Sequence, residues 1–172
     1  MDSIVYSRKP FGLDNGYIGQ LTPFSGSVTL FGSQGISYIK EEEIIQNAHL
    51  LNEWKVIASK ASAQGGRADS EGKRKVLPKV EVLSPSTICT ESYLLLFHTS
   101  IQVEAENAAS YVKTMFFRFL LSLKVITQNI SKDSFSFVPL QDFSHPWTDE
   151  MLYKKYGLDD NEIAFIESMI RP

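Results

Sequence analysis

Six cations lie between Ser59 and Lys79: Lys60, Arg67, Lys73, Arg74, Lys75 and Lys79, against the two acids Asp69 and Glu71. The segment therefore carries +4 in a chain whose formal charge is −3, which leaves −7 on the remainder. A basic stretch on an acidic body concentrates positive potential where a polyanion can meet it, while the rest keeps the protein soluble. Lys and Arg neutralise phosphates, and Arg and Gln pair bidentately with purine edges. The candidate DNA contacts in this segment are Lys60, Gln64, Arg67, Lys73, Arg74 and Lys75. Gln34, beside Ser33 at the tip of an expected hairpin, adds a short polar group on a narrow projection that could reach base edges. A solvated loop that has collected lysines, and a polar turn with no partner, would have the same composition.

Catalytic patterns are missing from the rest of the chain. Glu53-Trp-Lys55 has the spacing that Mg²⁺-dependent nucleases use on a strand, but Asp14 is the only substantial upstream acid outside the helix-like run 41–47. Glu53 is expected to face solvent. His49, His98 and His145 are far apart in sequence and, with Cys89, show none of the local spacings of metal sites, so no metal ligand or catalytic residue is assigned. There is no P-loop, no Gly-x-Gly-x-x-Gly and no nucleophile elbow. A single cysteine precludes an internal disulfide, no apolar run approaches the roughly 20 residues of a membrane span, and no signal-peptide core opens the chain. A cytoplasmic setting without membrane attachment is expected.

At 172 residues and 43% hydrophobic composition the chain suits one well-packed core. Val28–Phe31 and Ile36–Ile39 flank Gly32-Ser-Gln-Gly35, which supplies the positive-φ positions of a short hairpin loop. Acid at 41–43 predicts a short helix over 41–47. Trp54–Ala58, Val80–Val82 and Tyr93–Phe97 read as strands, the last apolar enough to lie centrally. Between them 59–79 is a flexible basic loop, longer than a plain connector. Ser84 to Thr90 offers several hydroxyls near a turn. From Glu104 to Ile126 apolar residues recur at helical spacing on both faces, predicting one long buried helix with Lys113, Arg118 and Lys124 at its rims. Ser134–Val138 alternates like an edge strand stopped by Pro139. Thr148 should cap a helix through Tyr156 that Gly157 ends, and Asp159 with Glu162 should box the start of a last helix to Met169. The expected architecture is α+β: a mixed or antiparallel sheet packed on the long helix over 1–138, with a helical appendage over 139–172.

Several of these blocks together resemble a known family. Thr90-Glu-Ser-Tyr-Leu94, Glu104-Ala-Glu-Asn107, Tyr111-Val-Lys-Thr-Met-Phe-Phe-Arg-Phe119, Phe137-Val-Pro-Leu-Gln-Asp142, Trp147-Thr-Asp149, Leu152-Tyr-Lys-Lys-Tyr156 and Glu162-Ile-Ala-Phe-Ile-Glu167 look like the C-terminal region of bacterial adenine-specific DNA methyltransferases of restriction-modification systems. The resemblance covers Thr90 to the C-terminus and, more loosely, 11–60. It implies a division of labour in which an upstream domain binds S-adenosylmethionine and methylates a flipped adenine while this part recognises the target. Neither the cofactor-binding glycine motif nor the Asn-Pro-Pro-aromatic signature is present here. The chain is therefore expected to be the recognition piece of a longer polypeptide, meeting double-stranded DNA together with the methyltransferase domain of that polypeptide. Met115 departs from the family pattern, which would place a basic residue there. A different class of function would be docking of a partner subunit through Phe143, Trp147, Tyr153, Tyr156 and Phe165, which could equally be packing of the appendage onto its own core.

Overall fold

Two three-stranded sheets and a layer of helices are stacked so that the middle sheet is buried on both faces. The computed structural model describes all residues except 7, 61–67, 78, 126–129 and 172. Its strands are β1 (Val28–Gly32), β2 (Gly35–Ile39), β3 (Trp54–Ser59), β4 (Val80–Leu83), β5 (Thr87–Cys89) and β6 (Tyr93–Thr99). The helices are α1 (Gln102–Lys113), α2 (Met115–Ser122), α3 (Asp149–Tyr156) and α4 (Asp160–Met169). The outer sheet runs β2-β1-β5, with β1 antiparallel to β2 and parallel to β5. The central sheet runs β4-β3-β6 and is antiparallel throughout. The class is α+β, as the residue pattern predicts.

Strand alternation explains the layering. Along β6, Leu94 and Leu96 pack with the helices, whereas Tyr93 and Leu95 pack with the outer sheet. On β3, Val56 and Ala58 take the helix side and Ile57 the other. A strand clothed on both faces has no use for polar positions, which is why 93–97 reads as a continuous apolar run.

The hairpin forms where expected, with Gly32 opposite Gly35 and Gly35 at φ 116. Thr148 caps α3 by accepting from Met151 N, Gly157 ends it at φ 66, and Asp159 with Glu162 boxes α4. Three expectations are corrected. The single long helix is two, because Thr114 takes an extended ψ of 151° and its hydroxyl accepts from Phe117 N at 3.2 Å, restarting the helix. Asp149 fixes the break by accepting from Met115 N (3.0 Å) and Phe116 N (2.8 Å). The apolar periodicity runs across this junction because burial continues through it; the expected end at Ile126 lies outside the described residues. Ser134–Val138 is not an edge strand but part of a 3-10 helix, Lys132–Phe137, in which Ser131 N donates to Ser134 Oγ. Its strand-like alternation reflects Phe135 buried and Phe137 exposed. The helix over 41–47 reduces to the 3-10 turn Glu41–Glu43, with another at Ala48–Leu50. The hydroxyl-rich turn forms at 85–86 and leads into β5, which joins β1 in parallel with Ile88 opposite Leu30.

The C-terminal region completes the helix-side core. Phe143, Trp147, Leu152, Tyr153, Ile166 and Ile170 are buried in the same cluster as Val56, Leu94, Tyr111 and Phe117. Among the described residues, no helix is long and apolar enough to cross a membrane.

Candidate nucleic-acid interface

The hairpin tip and the start of the basic segment meet. Asn15, Ser33, Ser59, Lys60, Glu91 and Ser92 line an open cleft of about 480 Å³. Ser33 Oγ donates to Asn15 O at 3.2 Å, and Ser92 Oγ donates to Asn15 Oδ1. Lys60 is fixed at both backbone atoms: its N–H donates to Ser92 O (2.9 Å) and its carbonyl accepts from Ile130 N (3.0 Å). Glu91 lines the same cleft. Lys79 adds a second cation on this side, its Nζ 4.5 Å from the Phe31 ring centroid and 5.8 Å from that of Tyr93. An ammonium held over an aromatic face keeps its charge at little cost in solvation. Gln34 is exposed at the turn that joins β1 to β2.

The middle of the basic segment goes elsewhere. Arg74 N donates to Met169 O (2.8 Å) and Arg171 N donates to Arg74 O (3.0 Å), so this stretch lies along the end of α4. The half-buried Arg74 guanidinium donates to Ser122 O at 3.3 Å, at the end of α2. Lys73 is half-buried beside it, and Lys75 is exposed. The segment's two acids face Arg171, which lies 2.9 Å from Asp69 and 3.8 Å from Glu71. The structure thus brings Gln34 and Lys60 to one end and Lys73, Arg74 and Lys75 to another, while Gln64 and Arg67 lie outside the described residues. Sequence reading counted the charge of Lys79 without singling it out. Asn15 and Ser92 carry no local signal, since their meeting depends on the outer sheet stacking on the central one.

The Glu53 and Lys55 pair separates in space. Lys55 is 0% exposed, and its amine donates to Leu51 O (3.2 Å) and Glu53 O (2.5 Å). Burial pulls this amine down to about 8. Glu53 is half-buried rather than facing open solvent, with its carboxylate 2.5 Å from His98 Nδ1. Cys89, buried in the same layer as Lys55, has its thiol pushed up to about 12 by desolvation. An amine turned inward and a carboxylate turned to a histidine do not form a metal-holding pair. Among the described residues, no three His, Cys, Asp or Glu side chains gather to hold a metal ion.

A second open cleft, of about 460 Å³, lies at the α1–α2 break between Lys79, Glu81, Lys113, Met115, Arg118 and Asp149. Met115 lines it together with Lys113 and Arg118. Arg118 Nε is buried with no hydrogen-bond partner, and burial lowers the guanidinium from its usual range.

The aromatic tail is mostly spoken for. Phe143, Trp147 and Tyr153 are buried in the core. Tyr156 stacks on Phe116 with centroids 4.9 Å apart, and its hydroxyl accepts from Gln141 Nε2. Phe165, 56% exposed, sits edge-on to Phe119. Lys155 donates to Gln141 Oε1 at 2.6 Å and lies 4.5 Å from the Trp147 ring centroid.

Comparison with protein families, with characterised proteins and with solved structures finds no match for this chain.

Proposed function

We propose that this chain is the DNA sequence-recognition module of a restriction-modification adenine-specific DNA methyltransferase, with no catalysis of its own. Binding of S-adenosylmethionine and methyl transfer would belong to a methyltransferase domain of the same polypeptide, in a cytoplasmic setting. One observation carries most of the weight: the hairpin turn that leaves Gln34 exposed stands beside a polar cleft that holds Lys60, with Lys79 close by. A cation that can meet phosphate and, beside it, an exposed glutamine that can meet a base edge are the two components base readout requires. The block resemblance over 90–172 supports the same reading.

Partner docking through the aromatic tail has less support, because three of its five aromatics are core residues whose exposure would open the fold. Selection from a pool of randomised duplexes at low salt, followed by salt titration, tests the proposal. An enriched motif with a steep salt dependence is expected. Absence of salt-dependent binding to any duplex overturns it and leaves partner docking as the reading to pursue.

A further inference from the structure

Lys79 stands between two clefts. Its carbonyl accepts from Ser59 N at 2.9 Å, and Ser59 is paired with Tyr93 across β3 and β6. Ser59 and Tyr93 line the polar cleft that holds Lys60, whereas Lys79 lines the cleft at the α1–α2 break with Glu81, Lys113, Met115, Arg118 and Asp149. The two openings are therefore neighbours at one end of the central sheet, joined through the backbone of Ser59 and Lys79.

Charge is unevenly matched in the second cleft. Its cations are Lys79, Lys113 and Arg118, and its carboxylates are Glu81 and Asp149. Asp149 is already committed, because its two oxygens accept from Met115 N (3.0 Å) and Phe116 N (2.8 Å) at the positive end of α2. None of the three cations takes part in an ion pair among the described residues. Lys113 is exposed in the last turn of α1. Arg118 is half-buried: one Nη donates to Arg171 O at 3.4 Å, and Nε is buried with no acceptor among the described residues. A guanidinium is all donor, so one placed where acceptors are scarce favours an anion nearby.

We propose that this second cleft takes a backbone phosphate of the bound duplex, so that the DNA face continues from Lys60 past Lys79 to Lys113 and Arg118. The inference rests on the DNA-recognition reading above. Lys113 makes the contact from the rim, and Arg118, held by the Arg171 carbonyl, supplies fixed positive potential from the wall. The openness of the cleft selects the occupant. A small free anion would stay hydrated there, whereas a duplex brings its phosphates at high local density and releases counterions on contact. A phosphate contact of this kind carries no sequence information; it fixes how the duplex lies against the end that presents Gln34.

The test is a salt titration of duplex binding by fluorescence anisotropy, on the parent chain and three variants. Lys113→Gln, altered at an exposed position, should flatten the slope of log affinity against log salt by about 0.9, the share of one phosphate. Glu81→Gln takes a carboxylate out of the cleft and should act in the opposite direction, tightening binding at fixed low salt. Lys154→Gln removes an exposed lysine of α3 that lines neither cleft, and should leave affinity and slope at the parent values. All three should melt close to the parent. If the parent binds duplex with a salt dependence, a parental slope in the Lys113 variant overturns the second contact and leaves DNA recognition standing. Equal flattening in the Lys113 and Lys154 variants does the same, since bulk charge then accounts for it. Failure of the parent to bind any duplex in a salt-dependent manner removes both.

Discussion

The two sides of the central sheet use similar raw material in opposite ways. On the helix side, residues of a type that usually marks a binding surface have been drawn inward: Trp147, Phe143 and Tyr153 are buried, and Arg74 is tied to the ends of α2 and α4. On the outer-sheet side, residues of a type that usually fills a core, Ile18, Leu21 and Ile36, are left exposed around a polar turn. Composition alone would rank the aromatic tail as the surface and the neutral hairpin as the scaffold. Hydrogen bonding and burial reverse that ranking, since an exposed aliphatic group held in place by backbone bonds makes no contribution to the core it stands outside.

The largest expected effect breaks the helix side. Trp147 donates its indole N–H to Asp142 O at 2.8 Å and accepts the Lys155 ammonium over its face. Trp147→Ala removes that anchor from a core shared with α1 and should cost about 3 to 5 kcal/mol, read as a fall in the urea midpoint. Leu21→Ala, at an 80% exposed position, should leave the midpoint within about 0.5 kcal/mol of the parent. If the two variants melt alike, the contrast between the two sides is wrong.

An intermediate effect concerns the core between the sheets. Lys55 is fully buried there with its amine held down to about 8. The sign follows from proton counting. Between pH 8 and about 10.4, the ordinary lysine value, the unfolded chain binds a proton at this site that the folded chain does not, so stability rises with pH across that window. Below pH 8 both states are protonated and the folded state bears the whole cost of a buried charge. Lys55→Met should therefore be the more stable protein at pH 7, by roughly 2 kcal/mol, with the gap closing as pH approaches 10. Parallel stability curves for the two proteins across pH 7 to 10 would show that the amine is not what distinguishes this layer.

How much of this was legible in the sequence depends on the range of the interactions involved. The hairpin, the Thr148 cap, the Gly157 stop and the Asp159 box are settled within four or five residues of chain, and each was readable. The break at Thr114 was not, because the carboxylate that fixes it comes from Asp149, far along the chain. Nor was β5, a three-residue strand that exists only through its parallel pairing with β1. The 3-10 helix at Lys132–Phe137 misled for a different reason: a turn with Phe135 in and Phe137 out imitates strand alternation. For the candidate interface, Gln34 and Lys60 were named from residue type and turn chemistry, and the structure leaves Gln34 exposed and puts Lys60 in the polar cleft. The exposed group of Ile18, Leu21 and Ile36 was missed because it depends on the Gln20 and Tyr38 pairing, which no local pattern announces.

The smallest effect sharpens the comparison where it concerns DNA. If the outer-sheet side carries the contacts, its cations and those of the helix side should differ in what they control. Lys60→Gln with Lys79→Gln removes two charges that form no ion pair among the described residues. The fold should be little affected, beyond the Lys79 ammonium leaving the Phe31 and Tyr93 rings, about 0.5 to 1 kcal/mol at an exposed site. On the proposed DNA-recognition reading, affinity for a duplex should fall, and the slope of log affinity against log salt should flatten by about 1.8, near 0.9 for each phosphate no longer neutralised. Arg74→Gln should do the reverse: it lowers the melting temperature by removing the guanidinium bond to Ser122 O at the end of α2 and leaves the slope of the remaining folded protein unchanged. A slope that flattens in the Arg74 variant and persists in the Lys60 and Lys79 variant would move the proposed phosphate contacts to the helix side, and with them the proposed DNA face.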